Sequence, residues 1–176
     1  MAISPFSLEH TWAVYWKRLP SNMQDRPILG QVASNEEKAL KAIASVGLIT
    51  ANQLLNLYSL SSNKLTRMVK RNRIVQHEIV MNDKYRIAIY SLGINGAKIV
   101  GLPGYEVNYW VKYSIHDILK RLLFFSFYER FHQNELIPVP NPFMGAIIIN
   151  DKPMFVYVVR GDLNDLSMYL KWNTLN

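Results

Sequence analysis

SSNKLTRMVKRNRIVQHEIVMNDKYRIAIYSL, residues 61–92, is the stretch on which the fold turns. It opens on the polar triplet Ser61-Ser62-Asn63 and runs to Arg73 without an acid. Leu65, Met68 and Val69 recur there at helical spacing, which predicts a helix to about Asn72 with one apolar face and one basic face. Ile74–Val80 and Arg86–Leu92 follow as strand-like runs. Between them Met81-Asn82-Asp83-Lys84-Tyr85 is a polar turn of hairpin type.

Working upstream, Ser34-Asn35-Glu36-Glu37 offers a polar cap followed by acids in a first turn, where the helix dipole favours them. Leu40, Ile43 and Ala44 keep helical spacing, and Gly47 stops that helix. Leu48-Ile49-Thr50 leads into a second one, with Thr50 as its cap and Leu54, Leu55 and Tyr58 as its apolar side. Three helices and a hairpin, in that order, make a winged helix-turn-helix over 35–103. Residues 1–34 hold Phe6, Trp12, Tyr15 and Trp16, read as a short aromatic helix, then a loop from Pro20 to Pro27. These aromatics could pack on the body or form a dimer contact.

Working downstream, Gly93–Leu102 predicts a short helix, and Pro103-Gly104 marks a boundary. Residues 104–176 then form a C-terminal α/β domain, structural or dimerising. Ser114 caps a long helix from Ile115 to about His132 that is apolar on most sides. Such a helix is central in its own fold or buried against a partner chain. Ala146–Ile149 and Met154–Arg160 flank a turn at Asn150–Pro153 as a strand hairpin, and Asp162–Trp172 predicts a last helix. The expected class is α+β.

The chain has 176 residues, about half of them hydrophobic and a fifth charged, enough for a real core. It has no cysteine, which removes disulfides, cysteine-based zinc sites and cysteine nucleophiles and fits a reducing cytoplasm. The N-terminus lacks a basic region followed by a long apolar run, so no signal peptide is expected. The greasiest segment, Ile118–Phe131, carries Lys120, Arg121, Glu129 and Arg130 and is too short and charged to span a membrane.

The formal charge is +7 and it is concentrated. Between Ser61 and Val100 stand eight bases (Lys64, Arg67, Lys70, Arg71, Arg73, Lys84, Arg86, Lys98) against two acids (Glu78, Asp83), a local +6. Such a surface attracts phosphate and releases counterions from DNA. On the third helix, Ser61, Ser62, Asn63, Lys64, Thr66, Arg67, Lys70 and Arg71 are the expected DNA contacts, with Arg73 leaving toward the wing. Arg and Lys can pair with guanine and Asn with adenine. Lys84, Tyr85 and Arg86 at the hairpin tip are placed for a flanking phosphate or the minor groove. An ordinary amphipathic helix with a basic outer face is the alternative.

From about Glu36 to Asp162 the chain resembles the replication-relaxation proteins of plasmids and other mobile elements. The resemblance is carried by the winged helix, by Tyr90-Ser91-Leu92 followed by Gly96-Ala97-Lys98, by His116-Asp117 opening a long helix, and by a late strand pair ending in Arg160-Gly161. It implies a DNA-binding N-terminal half and a second domain related to restriction-endonuclease-like folds. It also implies roles in control of plasmid replication, transfer or transcription. The acids and lysine that a nuclease core would use are missing here. Asn141 follows the proline of Val139-Pro140, and Phe155–Val159 has no charge, so a degenerate, structural version is expected.

Other chemistry finds little support. His10, His77, His116 and His132 form no HxxxH or HExxH pair. His116 and His132, sixteen residues apart on one helix, point about 160° from each other. Each histidine reads as a surface or satisfied helix residue. His116-Asp117 could form an acid–base pair, but adjacent helix residues diverge, so Asp117 reads as a first-turn acid. Gly93-Ile94-Asn95-Gly96 has the spacing of an RNA-clamping loop but reads as a turn and helix start. No catalytic residue, metal ligand or cofactor is assigned. The leading expectation is a cytoplasmic homodimer binding duplex DNA sequence-specifically as a regulator. An accessory module recruiting a replication or transfer enzyme is the second, and a magnesium nuclease the third.

Overall fold

The computed structural model describes residues 6–23, 27–28 and 30–174. Its elements run β1 (Trp12–Tyr15), α1 (Ser34–Val46), β2 (Leu48–Thr50), α2 (Ala51–Tyr58), α3 (Ser62–Lys70), β3 (Ile74–Met81), β4 (Tyr85–Leu92) and α4 (Ile94–Val100). After a short 3-10 turn come α5 (Ile115–Tyr128), β5 (Leu136–Ile137), β6 (Gly145–Ile149), β7 (Lys152–Val156) and α6 (Asn164–Thr174). The chain is thus mixed α+β with two antiparallel sheets, ordered β1-β3-β4-β2 and β5-β6-β7.

Alternation along β3 and β4 gives the first sheet two apolar faces. Ile74, Tyr90 and Leu92 join Ile49 of β2 on one face, where α1 to α4 supply Leu40, Ile43, Leu54, Leu65, Met68 and Ala97. Val75, Ile79, Met81 and Ile89 look the other way, onto Trp110 and the first half of α5 through Ile118, Leu119 and Leu122. The second half of α5 rejoins the helical cluster through Phe124, Phe125 and Tyr128, beside Met144 and Ile147. The apolar excess of α5 is therefore met inside the chain, which removes the reason that helix gave for expecting a second copy. Polar staples hold it: Gln53 donates to the Leu122 carbonyl (2.7 Å) and Arg121 Nε to the Val46 carbonyl (2.9 Å).

Several local expectations hold for the reasons given. Thr50 and Ser114 each close a capping box, with Gln53 and Asp117 as the reciprocal residues, so Asp117 is engaged at the helix start. Gly47 ends α1 at φ 110°, a conformation open to glycine. Both hairpins turn on Asn-Asp at positive φ, Asn82-Asp83 and Asn150-Asp151. Gly93 stands at the start of α4, as the turn-and-helix reading required.

Others need correction. Trp12–Tyr15 is a strand, not an aromatic helix. It pairs with β3 from Trp12 opposite Met81 to Tyr15 opposite Glu78, and so covers an edge that would otherwise lie bare. Leu48–Thr50 is likewise a strand, on β4. The cap of α1 is Ala33, without a side-chain bond; Asn35 instead donates to the Tyr58 carbonyl and ties α1 to the end of α2. The last strand stops at Val156, opposite Gly145, because β6 has no earlier residue to pair with the run to Arg160. The second sheet also has a third strand, the short β5. Among the described residues no helix is long and apolar enough to cross a membrane.

Candidate nucleic-acid interface

The helix α3 is two-faced, as its spacing demanded. Leu65 and Met68 are buried against α1, α2 and β3, while Ser61, Ser62, Asn63, Thr66, Arg67, Lys70 and Arg71 are exposed and Lys64 is half-buried. The hydroxyl of Thr66 bonds back to the Ser62 carbonyl (3.0 Å). Ser61, just before the helix, makes no capping bond and leaves the first turn open. None of Lys64, Arg67, Lys70 and Arg71 forms an ion pair among the described residues. Uncompensated charges on one short helix repel each other and sum their field outward, the condition for attracting a polyanion.

The β3–β4 tip presents Lys84 and Tyr85 to solvent. Arg86 is also exposed, but its guanidinium meets Glu78 at 2.8 Å across the hairpin. Exposed pairs of this kind hold weakly, about 0–1 kcal/mol, so the arginine can exchange its carboxylate for a phosphate.

Arg73 does not belong with these residues. Its side chain is 2% exposed and its Nη1 is bonded to Glu36 in the first turn of α1. A buried arginine paired with a carboxylate holds α3 and α1 together and cannot reach a duplex; it is removed from the interface. Its backbone is equally engaged: the amide donates to the Met68 carbonyl (2.9 Å) and the carbonyl accepts from Gly93 (2.9 Å). Here α4 lies so close that a Cβ at Gly96 would stand 2.1 Å from the Arg73 carbonyl oxygen. The α3–β3 junction is thus clamped from both sides, which fixes the aim of the basic face.

His77 is the polar residue that the sequence reading missed. It is a buried strand residue, with Trp16 and Trp110 rings each 4.9 Å from its own. Its Nδ1 accepts from the Lys17 amide (3.0 Å), which leaves the proton on Nε2 to bond Ser91 Oγ (2.7 Å). Burial, and then the Lys17 charge, push its pKa down to about 3, so it stays a neutral structural group. The strand pattern Val75-His77-Ile79 placed it on an apolar face, the one signal that could have found it.

Among the described residues no three histidine, aspartate or glutamate side chains come together as a metal group. Asp151 lies in the β6–β7 turn, and Asp162 accepts from the Asn164 amide before α6. Asp165 is bonded to Tyr157. No protein-family model matches the chain, and no curated protein or solved structure does either.

Proposed function

We propose that the chain binds duplex DNA as a winged helix-turn-helix regulator, with α3 as the helix that enters the major groove. The carrying observation is the exposed face of α3, where Lys64, Arg67, Lys70 and Arg71 stand without counter-charges beside Ser62, Asn63 and Thr66. Phosphate contacts position such a helix, while side chains near its N-terminal end read base edges. The order α1-β2-α2-α3-β3-β4, with β2 on the far side of β4, supports this assignment, and the β3–β4 turn serves as the wing. The resemblance to replication-relaxation proteins puts the regulated process in the replication, transfer or transcription of a mobile element. In this reading the chain has no catalytic role and works in the cytoplasm.

A gel shift with DNA neighbouring the coding sequence, with and without nonspecific competitor, tests the proposal. A retained, competitor-resistant complex supports it; no complex at low salt rejects it.

A second reading has its own observation. Phe155, Val159, Leu163 and Met168, at the C-terminal end, are exposed large apolar side chains. They suit a protein partner, a second copy or a replication or transfer enzyme, more than they suit DNA.

A further inference from the structure

Beneath the C-terminal end of α3 lies a cavity of about 220 Å³ walled by Lys70, Arg71, Asn72, Arg73 and Asn95, with Pro27 and Ile28 as its apolar side. Two of its wall residues carry buried polar atoms without a partner, Nη2 of Arg73 and Oδ1 of Asn95. Both side chains are more than nine-tenths buried, Arg73 at 2% and Asn95 at 7% exposure. The orientation of the Asn95 amide is fixed, because its Nδ2 donates to the Arg71 carbonyl (2.8 Å), which can only accept. One unmet donor and one unmet acceptor therefore belong to the same small cavity. Each is withdrawn from water without a bond in return, at a cost of about 1–3 kcal/mol.

The complementary ligand carries an acceptor for Arg73 and a donor for Asn95. It must also be anionic, since Lys70, Arg71 and Arg73 outweigh Glu36, which is bonded to the far side of the Arg73 guanidinium. A single water claims about 30 Å³ and leaves most of the space empty. We propose that this cavity is a binding site for a phosphate that keeps a hydrogen, as free hydrogen phosphate or as a terminal phosphomonoester. Its P–O oxygens accept from Arg73 and the neighbouring bases, and its P–OH donates to Asn95 Oδ1. A phosphodiester or a sulfate offers acceptors only and leaves the asparagine unmet. The site stands whether or not α3 meets DNA, although Lys70 and Arg71 belong to both surfaces.

The test is a titration of the full chain, followed by amide NMR near pH 6.5, with inorganic phosphate, methyl phosphate, dimethyl phosphate and sulfate at matched ionic strength. Shifts confined to residues 70–73 and 95 are expected for phosphate, and for methyl phosphate if terminal esters are also admitted. Sulfate and dimethyl phosphate should bind about 10-fold more weakly, the size of one hydrogen bond to a charged group. In Asn95→Leu that preference should vanish. If that variant does not fold, the exposed Lys70→Gln serves: it should weaken phosphate and sulfate alike and keep their ratio. Equal binding of phosphate and sulfate to the parent chain, or phosphate shifts scattered over the surface, or no shift with any of the four, overturns the site.

Discussion

The outer face of α3 and the buried ring cluster around His77 are both polar insertions in an apolar frame, and they are built to opposite rules. At His77 every polar atom of the ring is matched: Lys17 donates to one nitrogen, Ser91 pairs with the other, and two indoles close the faces. On α3 four bases stand without ion pairs among the described residues, and the first turn has no side-chain cap. Satisfied groups hold a fold together, whereas unsatisfied ones on a rigid element are poised for something outside it. Arg73, at the junction, obeys the first rule although it sits three residues past a helix that obeys the second.

The contrast can be broken most severely at His77. Its pKa is lowered to about 3 in the fold against 6.5 when unfolded, so the fold prefers the neutral ring. Stability from this group is complete above pH 6.5 and lost as pH falls toward 3, at about 1.4 kcal/mol per pH unit and roughly 4 kcal/mol in all. Denaturant unfolding at several pH values should show this slope in the parent and a flatter one in His77→Gln. Equal slopes would mean that the ring is not held neutral.

Next in size is the clamp behind α3. Gly96→Ala drives a methyl into the Arg73 carbonyl and should cost about 1–3 kcal/mol in thermal or denaturant unfolding. Where the variant still folds, it should also loosen the aim of α3 and reduce specific more than nonspecific DNA binding. Unchanged stability would show that α4 does not press on the junction.

The smallest effect belongs to the wing. Lys84→Ala with Arg86→Ala should weaken binding to all sequences alike and reduce the salt slope by about one to two, with less from Arg86 because Glu78 already offsets it. A salt slope identical to the parent's would take the wing out of the interface.

What the sequence made legible was what short-range pattern controls. The spacing of Leu65 and Met68, the Thr50 and Ser114 caps, and the two Asn-Asp turns each declare themselves within a few residues. What it hid depends on partners far along the chain. The aromatic run at Trp12 becomes a strand only because β3, more than sixty residues later, has an open edge. Arg73 reads as one more base in a basic run until Glu36 folds against it, and Asn95 reads as turn chemistry until its amide meets Arg71. Charge is countable in sequence; compensation is a property of the fold. Removing Arg73 therefore sharpens the interface, since the remaining bases of α3 share one exposed face.

The central claim, that this face meets DNA, is tested most directly at Arg67. Binding of Arg67→Ala and of the parent to a retained DNA fragment should be compared by fluorescence anisotropy at fixed salt, with circular dichroism to check the fold. The account predicts an intact fold and a loss of about 1–3 kcal/mol in specific binding. A folded Arg67→Ala that binds its site as tightly as the parent would contradict it.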